Sequence, residues 1–263
     1  MKKCLWLLIL FLIPLKVMGS SSYIVMDGDS KRVLEGDNIH LEKLIASTSK
    51  IMTALIAIEN GNLDEEVIVS KEVLKAYGSN VYIEVGEKIT LRDLLYGLLL
   101  RSGNDCAIEI AYMISGSMEE FVSLMNRKAK ELGMEHTNFI NSSGLEDENK
   151  LGNTSTAYDM GLLMSYAIDN DTFREISGTK RHIVTTNYKT YDWHNKNKLL
   201  SSYKYTIAGK TGFTKLARRT LVTAALKDEK KLVVVTLNDP DDFSNHKYLY
   251  EKNFKKYNKV NLL

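Results

Sequence analysis

A serine and a lysine, the residue types that together make an activated nucleophile, stand three positions apart in Ser47-Thr48-Ser49-Lys50. The run that follows is apolar at 51, 52, 54, 55, 56 and 58 and stops at Gly61, which predicts a mostly buried helix opening near Ser47. Side chains three apart on a helix are neighbours, so the Lys50 amine reaches the Ser47 hydroxyl, and the helix amino end favours negative charge developing there. The spacing alone selects nothing. Serine three before lysine recurs at Ser177 and Lys180, Ser201 and Lys204, and Ser244 and Lys247, and serines are ordinary helix caps. Two other polar stretches occur once each, Ser102-Gly103-Asn104 and Lys210-Thr211-Gly212. Peptide hydrolysis by serine requires a deprotonated hydroxyl, a stabilised tetrahedral oxyanion and a proton for the departing amine. Lys50 serves as the base if a cationic, desolvated site lowers its pKa, and a second lysine such as Lys210 pushes it that way if the fold brings it near.

The elements that must hold these stretches are legible from periodicity. Tyr23 to Met26 and Arg32 to Leu34 flank the turn Asp27-Gly28-Asp29-Ser30 and predict a hairpin. Val67 to Val69 reads as a short strand, and Thr90 caps a helix from Leu91 to Leu100 that ends in a loop at Arg101-Ser102-Gly103-Asn104. Helices follow from Asp105 to Ile114 and from Met118 to Leu132, the second opened by a Ser117 to Glu120 capping box and closed by Gly133. Asn141 to Asn153 is a loop, and Thr156 to Ile168 is helical. Strand character returns at Tyr205 to Ala208, Arg219 to Leu226 and Lys231 to Leu237, before a last helix that carries Phe243, Tyr250, Phe254 and Tyr257 on one side. Strands at both ends around a helical middle describe an α/β (α+β) fold, one sheet assembled from the two termini with a helical lobe inserted.

Composition removes several classes of function. Lys2 and Lys3 precede the uncharged apolar run Cys4 to Leu15 and the small-residue stretch Val17-Met18-Gly19-Ser20, which reads as a secretory signal peptide over residues 1–19. Its removal takes Lys2, Lys3 and Lys16 with it, so 35 basic residues become 32 against 33 acidic ones. No basic run interleaved with aromatics remains, which argues against nucleic acid as a partner. Cys106 is then the sole thiol, and an internal disulfide is excluded. His40, His136, His182, His194 and His246 are scattered without metal-ligand spacing, so no metal or other cofactor is expected. There is no G-x-S-x-G elbow. Gly209-Lys210-Thr211 imitates the tail of a phosphate-binding loop, but that motif requires glycine where Lys204 stands.

The order of the three polar stretches, together with their flanks, resembles the serine-type D-alanyl-D-alanine carboxypeptidases, the low-molecular-mass penicillin-binding proteins. The flanks that carry the likeness are Ala46 to Leu55, Leu99 to Asp105, Asn141-Ser142-Ser143-Gly144-Leu145, Ser155 to Met160, Asn197-Lys198-Leu199-Leu200 and Gly209 to Thr214. The resemblance implies a five-stranded antiparallel sheet flanked by helices, with the site between sheet and lobe. It assigns Ser47 as nucleophile, Lys50 as base, Ser102 as proton relay and Asn104 as a holder of the substrate's peptide group. It also places the oxyanion on the backbone N–H groups of Ser47 and Phe213, the substrate's terminal carboxylate on Lys210 and Thr211, and the acyl chain close to Gly212.

The implied reaction removes the terminal D-alanine from peptidoglycan stem peptides ending in D-Ala-D-Ala, with β-lactams as covalent inhibitors. Alternatives on the same scaffold are a D,D-endopeptidase, a β-lactamase or an inactive penicillin-binding sensor; the E-x-x-L-N run of class A β-lactamases is absent. Residues 20–263 are expected to form a single exported peptidase domain on the extracytoplasmic side, with no additional C-terminal domain and no support for membrane attachment. Ile45 stands where the family commonly has proline, and Arg218 and Arg219 stand where it commonly has glycine and an aromatic. The two arginines either alter carboxylate recognition or face solvent.

Overall fold

A computed structural model describes residues 21–260, with side chains described to residue 256. The signal peptide expected over residues 1–19 lies outside the described residues. The chain opens with β1 (Ser22–Asp27) and β2 (Val33–Asp37), then β3 (Lys43–Leu44), a 3₁₀ turn (Ala46–Ser49) and α1 (Lys50–Asn60). The inserted lobe holds β4 (Glu66–Ile68), β5 (Lys88–Thr90), α2 (Leu91–Tyr96), α3 (Asn104–Ser115), α4 (Met118–Glu131), β6 (Thr154–Ser155), α5 (Ala157–Ala167) and α6 (Asp171–Gly178). After it come β7 (Arg181–Thr185), β8 (Thr190–His194), α7 (Leu199–Ser202), β9 (Thr206–Thr214), β10 (Arg218–Lys227), β11 (Lys230–Leu237) and α8 (Asp242–Val260).

The main sheet has five strands in the order β2-β1-β11-β10-β9, every pair antiparallel. The C-terminal strand β11 therefore lies at its centre, which accounts for its unbroken Leu232-Val233-Val234-Val235 run: a strand covered on both faces needs apolar side chains on both. Alternate residues sort cleanly. Ile24, Met26, Val222, Ala224, Val233 and Val235 join the core shared with the lobe, whereas Val25, Leu221, Ala225, Leu232 and Val234 pack beneath Leu249, Tyr250 and Phe254 of α8.

Helix α1 is buried continuously from Lys50 to Ala57, so it threads the middle of the lobe. Thr90 caps α2 by accepting from the Asp93 N–H, and Ser117 caps α4 by accepting from the Glu120 N–H, both as the capping pattern predicts. The helix expected through Leu100 instead widens after Tyr96 into a π-helical turn, Gly97–Arg101, that delivers Ser102 in the left-handed conformation (φ 66°). π-turns inside helices are associated with functional sites. The loop expected at Asn104 is shorter by one residue, because Asn104 is the first residue of α3.

The β7–β8 hairpin and α6 are absent from the sequence-based expectation. Only Val184, Tyr191 and Trp193 of the hairpin are buried, so its pattern is mostly polar and its strands are recognisable only through their cross-strand register.

Candidate active site

The site is built first from a strained turn. Ala46 has φ 47°, and the turn is closed by Thr48 Oγ1 donating to the Ile45 carbonyl (2.6 Å) and Ser49 Oγ donating to the Ala46 carbonyl (2.8 Å). In a 3₁₀ turn residues i and i+3 eclipse, so Ser47 and Lys50 stack more directly than on an α-helix. Lys50 Nζ lies 3.0 Å from Ser47 Oγ.

Two other acceptors meet the same nitrogen: Asn104 Oδ1 at 2.7 Å and the Ser143 carbonyl at 2.6 Å. The Asn104 amide cannot be flipped, because its Nδ2 donates to the Tyr77 carbonyl at 2.6 Å. Neither of those two oxygens can donate. A neutral Lys50 amine therefore spends its two hydrogens on them and turns its lone pair to the Ser47 hydroxyl. Burial is the largest influence on Lys50 and lowers its pKa to about 7, with the charge of Lys196 acting in the same direction. The cationic neighbour acting on Lys50 is thus Lys196, not the expected Lys210.

Asn104 is itself buried, and both ends of its amide are engaged, the oxygen by Lys50 Nζ and the nitrogen by the Tyr77 carbonyl. Asp105 fixes the neighbouring wall. Its carboxylate accepts from the backbone N–H groups of Val81, Tyr82 and Ile83, and the Ser79 carbonyl accepts from the Asn104 N–H at 2.7 Å.

The loop from Asn141 to Leu145 closes the back of the site. Besides the Ser143 carbonyl, the Ser142 carbonyl accepts from Thr53 Oγ1 at 2.7 Å. Gly144 (φ 85°) passes so near the nucleophile turn that an added Cβ would lie 1.9 Å from the Ala46 carbonyl oxygen.

Strand β9 supplies the opposite wall. A Cβ on Gly212 would fall 2.3 Å from Thr220 Oγ1 and 3.1 Å from the backbone nitrogens of Ser47 and Thr48, so glycine there lets the strand itself lie against the nucleophile turn. Phe213 is exposed. Lys210 is 1% exposed, its Nζ donates to the Thr211 carbonyl at 2.8 Å, and burial, then Lys50 and Lys196, hold its pKa well below the ordinary lysine range.

A cleft of about 360 Å³ runs between these walls, lined on the lobe side by Ser79, Ser102 and Lys196 beside Ser47, and on the sheet side by Thr211, Gly212, Phe213 and Arg219. The serines of the other three serine–lysine pairs do not line it. Sequence reading gave no role to Ser79, the Ser143 carbonyl or Lys196, although Ser143 lies inside the flank Asn141 to Leu145 and Lys196 stands one residue before the flank that opens at Asn197.

A serine hydroxyl hydrogen-bonded to a buried lysine, on a turn between an antiparallel sheet and a helical lobe, is an arrangement suited to acyl transfer by serine. Residues 14–241 match the D-alanyl-D-alanine carboxypeptidase family, and the chain belongs to it. D-alanyl-D-alanine carboxypeptidase DacF of Bacillus subtilis is 33% identical over 222 residues; the match covers 82% of this chain and 56% of that relative, so the chain spans little more than half its length. The crystal structure of a D-alanyl-D-alanine carboxypeptidase from Mycobacterium tuberculosis superposes with a TM-score of 0.84 at 32% identity, covering 89% of this chain and 90% of that one. A variant of the Streptomyces K15 DD-transpeptidase also gives a TM-score of 0.84, at 30% identity over 89% of this chain and 97% of its own.

Proposed function

We propose that this protein removes the terminal D-alanine from peptidoglycan stem peptides ending in D-Ala-D-Ala, through an acyl-Ser47 intermediate that β-lactams trap. The arrangement at Lys50 Nζ carries the reading, because two fixed acceptors leave the amine's remaining position to Ser47 Oγ.

In the first step neutral Lys50 takes the Ser47 proton while Oγ bonds to the scissile carbonyl carbon, and the oxyanion forms against the backbone N–H groups of Ser47 and Phe213. As the tetrahedral species collapses, the C–N bond breaks and the proton on Lys50 passes through Ser102 to the departing amine. Water then attacks the ester with Lys50 again as base, returning the proton to Ser47. Asn104 and Ser143 keep the amine aimed throughout, and Thr211, Gly212 and Phe213 align the peptide along β9. Lys210 is held well below the ordinary lysine range by burial first and then by the charges of Lys50 and Lys196.

Residues 1–19 act as a signal peptide and residues 20–263 as one exported peptidase domain. Labelled penicillin is expected to attach to residues 20–263, with mass mapping placing the adduct on Ser47 and Ser47→Ala abolishing it. An adduct on Ser177, Ser201 or Ser244 overturns the assignment, as does labelling without D-alanine release from a D-Ala-D-Ala peptide.

A further inference from the structure

The cation expected to read the substrate's terminal carboxylate is poorly placed to do so. Lys210 is buried, and its Nζ is turned back onto the Thr211 carbonyl of its own strand at 2.8 Å. Another cation occupies the sheet side of the cleft. Arg219 lies opposite Phe213 in the β9–β10 ladder and lines the cleft beside Ser47, Thr211 and Gly212. Its side chain is 43% exposed, and a guanidinium is a permanent cation.

Its surroundings hold it from behind. Nη2 donates to Asp242 Oδ1 at 2.6 Å, the Asp242 side chain is only 4% exposed, and the Phe243 ring centroid lies 5.6 Å from Cζ. Asp242 and Phe243 open α8, so a helix packed on the far face of the sheet sends its first turn to the cleft rim. Arg219 Nε is buried and has no hydrogen-bond partner among the described residues. The exposed part of the guanidinium faces the cleft, and its planar fork of donors suits a planar carboxylate.

We propose that Arg219 is the specificity-determining residue for the free α-carboxylate at the substrate's C-terminus, with Asp242 as the positioning residue that fixes the guanidinium. The assignment rests on the carboxypeptidase reading above and names the group that distinguishes a free chain end from a cross-linked one. Two other cleft cations compete: Lys196, on the lobe side with its Nζ 3.4 Å from Ser79 Oγ, and the exposed Lys198.

The test compares kcat/KM for a peptide ending in D-Ala-D-Ala as the free acid and as the C-terminal amide. A charge-assisted hydrogen bond predicts a preference for the acid of about ten- to a hundredfold in the wild type. Arg219→Gln is expected to bring the ratio towards one, and Arg219→Lys to keep part of it. Far-UV circular dichroism and the thermal midpoint of each variant report an intact fold. If Arg219→Gln does not fold, Asp242→Asn carries the test with an expected severalfold fall in the ratio. A wild-type ratio surviving in Arg219→Gln, or in Asp242→Asn when that variant is the one tested, overturns the proposal, as does its collapse in Lys196→Ala or Lys198→Ala alone. Failure of the underlying reading is distinguishable, because the wild type then shows no acid preference or no adduct on Ser47.

Discussion

Asn104 and Lys50 form a pair with a fixed sense: the amide oxygen faces Nζ at 2.7 Å because the amide nitrogen is held by the Tyr77 carbonyl. With Lys50 lowered to about 7, the base is protonated at acid pH, so kcat/KM should rise with pH through a limb near 7. Asn104→Asp replaces a neutral acceptor with an anion at the same place, which favours the ammonium and should move the limb upward by about one to three units. Initial rates between pH 5 and 10 check both; an unmoved limb in the variant would show that another group sets it.

Gly144 admits no side chain. Its φ of 85° and the 1.9 Å approach of an added Cβ to the Ala46 oxygen mean that Gly144→Ala must displace the nucleophile turn or the loop holding the Ser143 carbonyl. Strain of this kind costs about 1–3 kcal/mol. A displacement near 1 Å at the reacting atoms costs about a hundredfold in rate. Urea denaturation and the acylation rate of Ser47 measure the two losses, and the rate is expected to suffer more.

His246 lies behind the sheet, its Nδ1 2.8 Å from Thr223 Oγ1 and its Nε2 3.0 Å from Thr236 Oγ1. Burial lowers its pKa from 6.5 to about 3. Between those values the unfolded chain binds a proton that the folded chain refuses, so this stability is complete above pH 6.5 and is lost as pH falls towards 3. The loss from this residue should reach on the order of 3 kcal/mol by pH 4. Denaturation midpoints at pH 7 and pH 4 should converge in His246→Gln relative to wild type, although the variant is weaker at pH 7 for the hydrogen bonds it disturbs.

Arg218 is exposed and holds φ 62° at the start of β10. The left-handed conformation costs a side chain about 1–2 kcal/mol. Glycine returns about 0.5–1 kcal/mol of that through its more flexible unfolded state. Arg218→Gly should therefore gain up to about 1 kcal/mol and raise Tm by roughly 2–4 °C, with penicillin labelling unaffected. Thermal scans decide it, and a lower Tm would mean that the side chain contributes more than its conformation costs.

What could be read from the sequence was what is local. Ser47 and Lys50 meet because four consecutive residues make one turn, and the caps at Thr90 and Ser117 were visible because a cap is a contact across three residues. The sheet was legible because β11 carries its burial in its own composition. Which cation is exposed was not. Lys210 is covered by what packs over β9, and Arg219 is aligned by Asp242, 23 residues further on, so neither state leaves a mark in the adjacent residues. The same holds for Asn104, whose partner at Tyr77 is 27 residues away.

The three bonds at Lys50 Nζ tie it to residues 3, 54 and 93 positions away. Closing loops of that length is slow compared with forming a helix, and none of the long contacts can form before the lobe has docked on its own first helix. A refolding chain should thus regain helical signal well before it regains a nucleophile. Penicillin added at intervals after dilution from urea would mark only molecules that have completed the lobe, which makes the acylation reaction a clock for tertiary assembly.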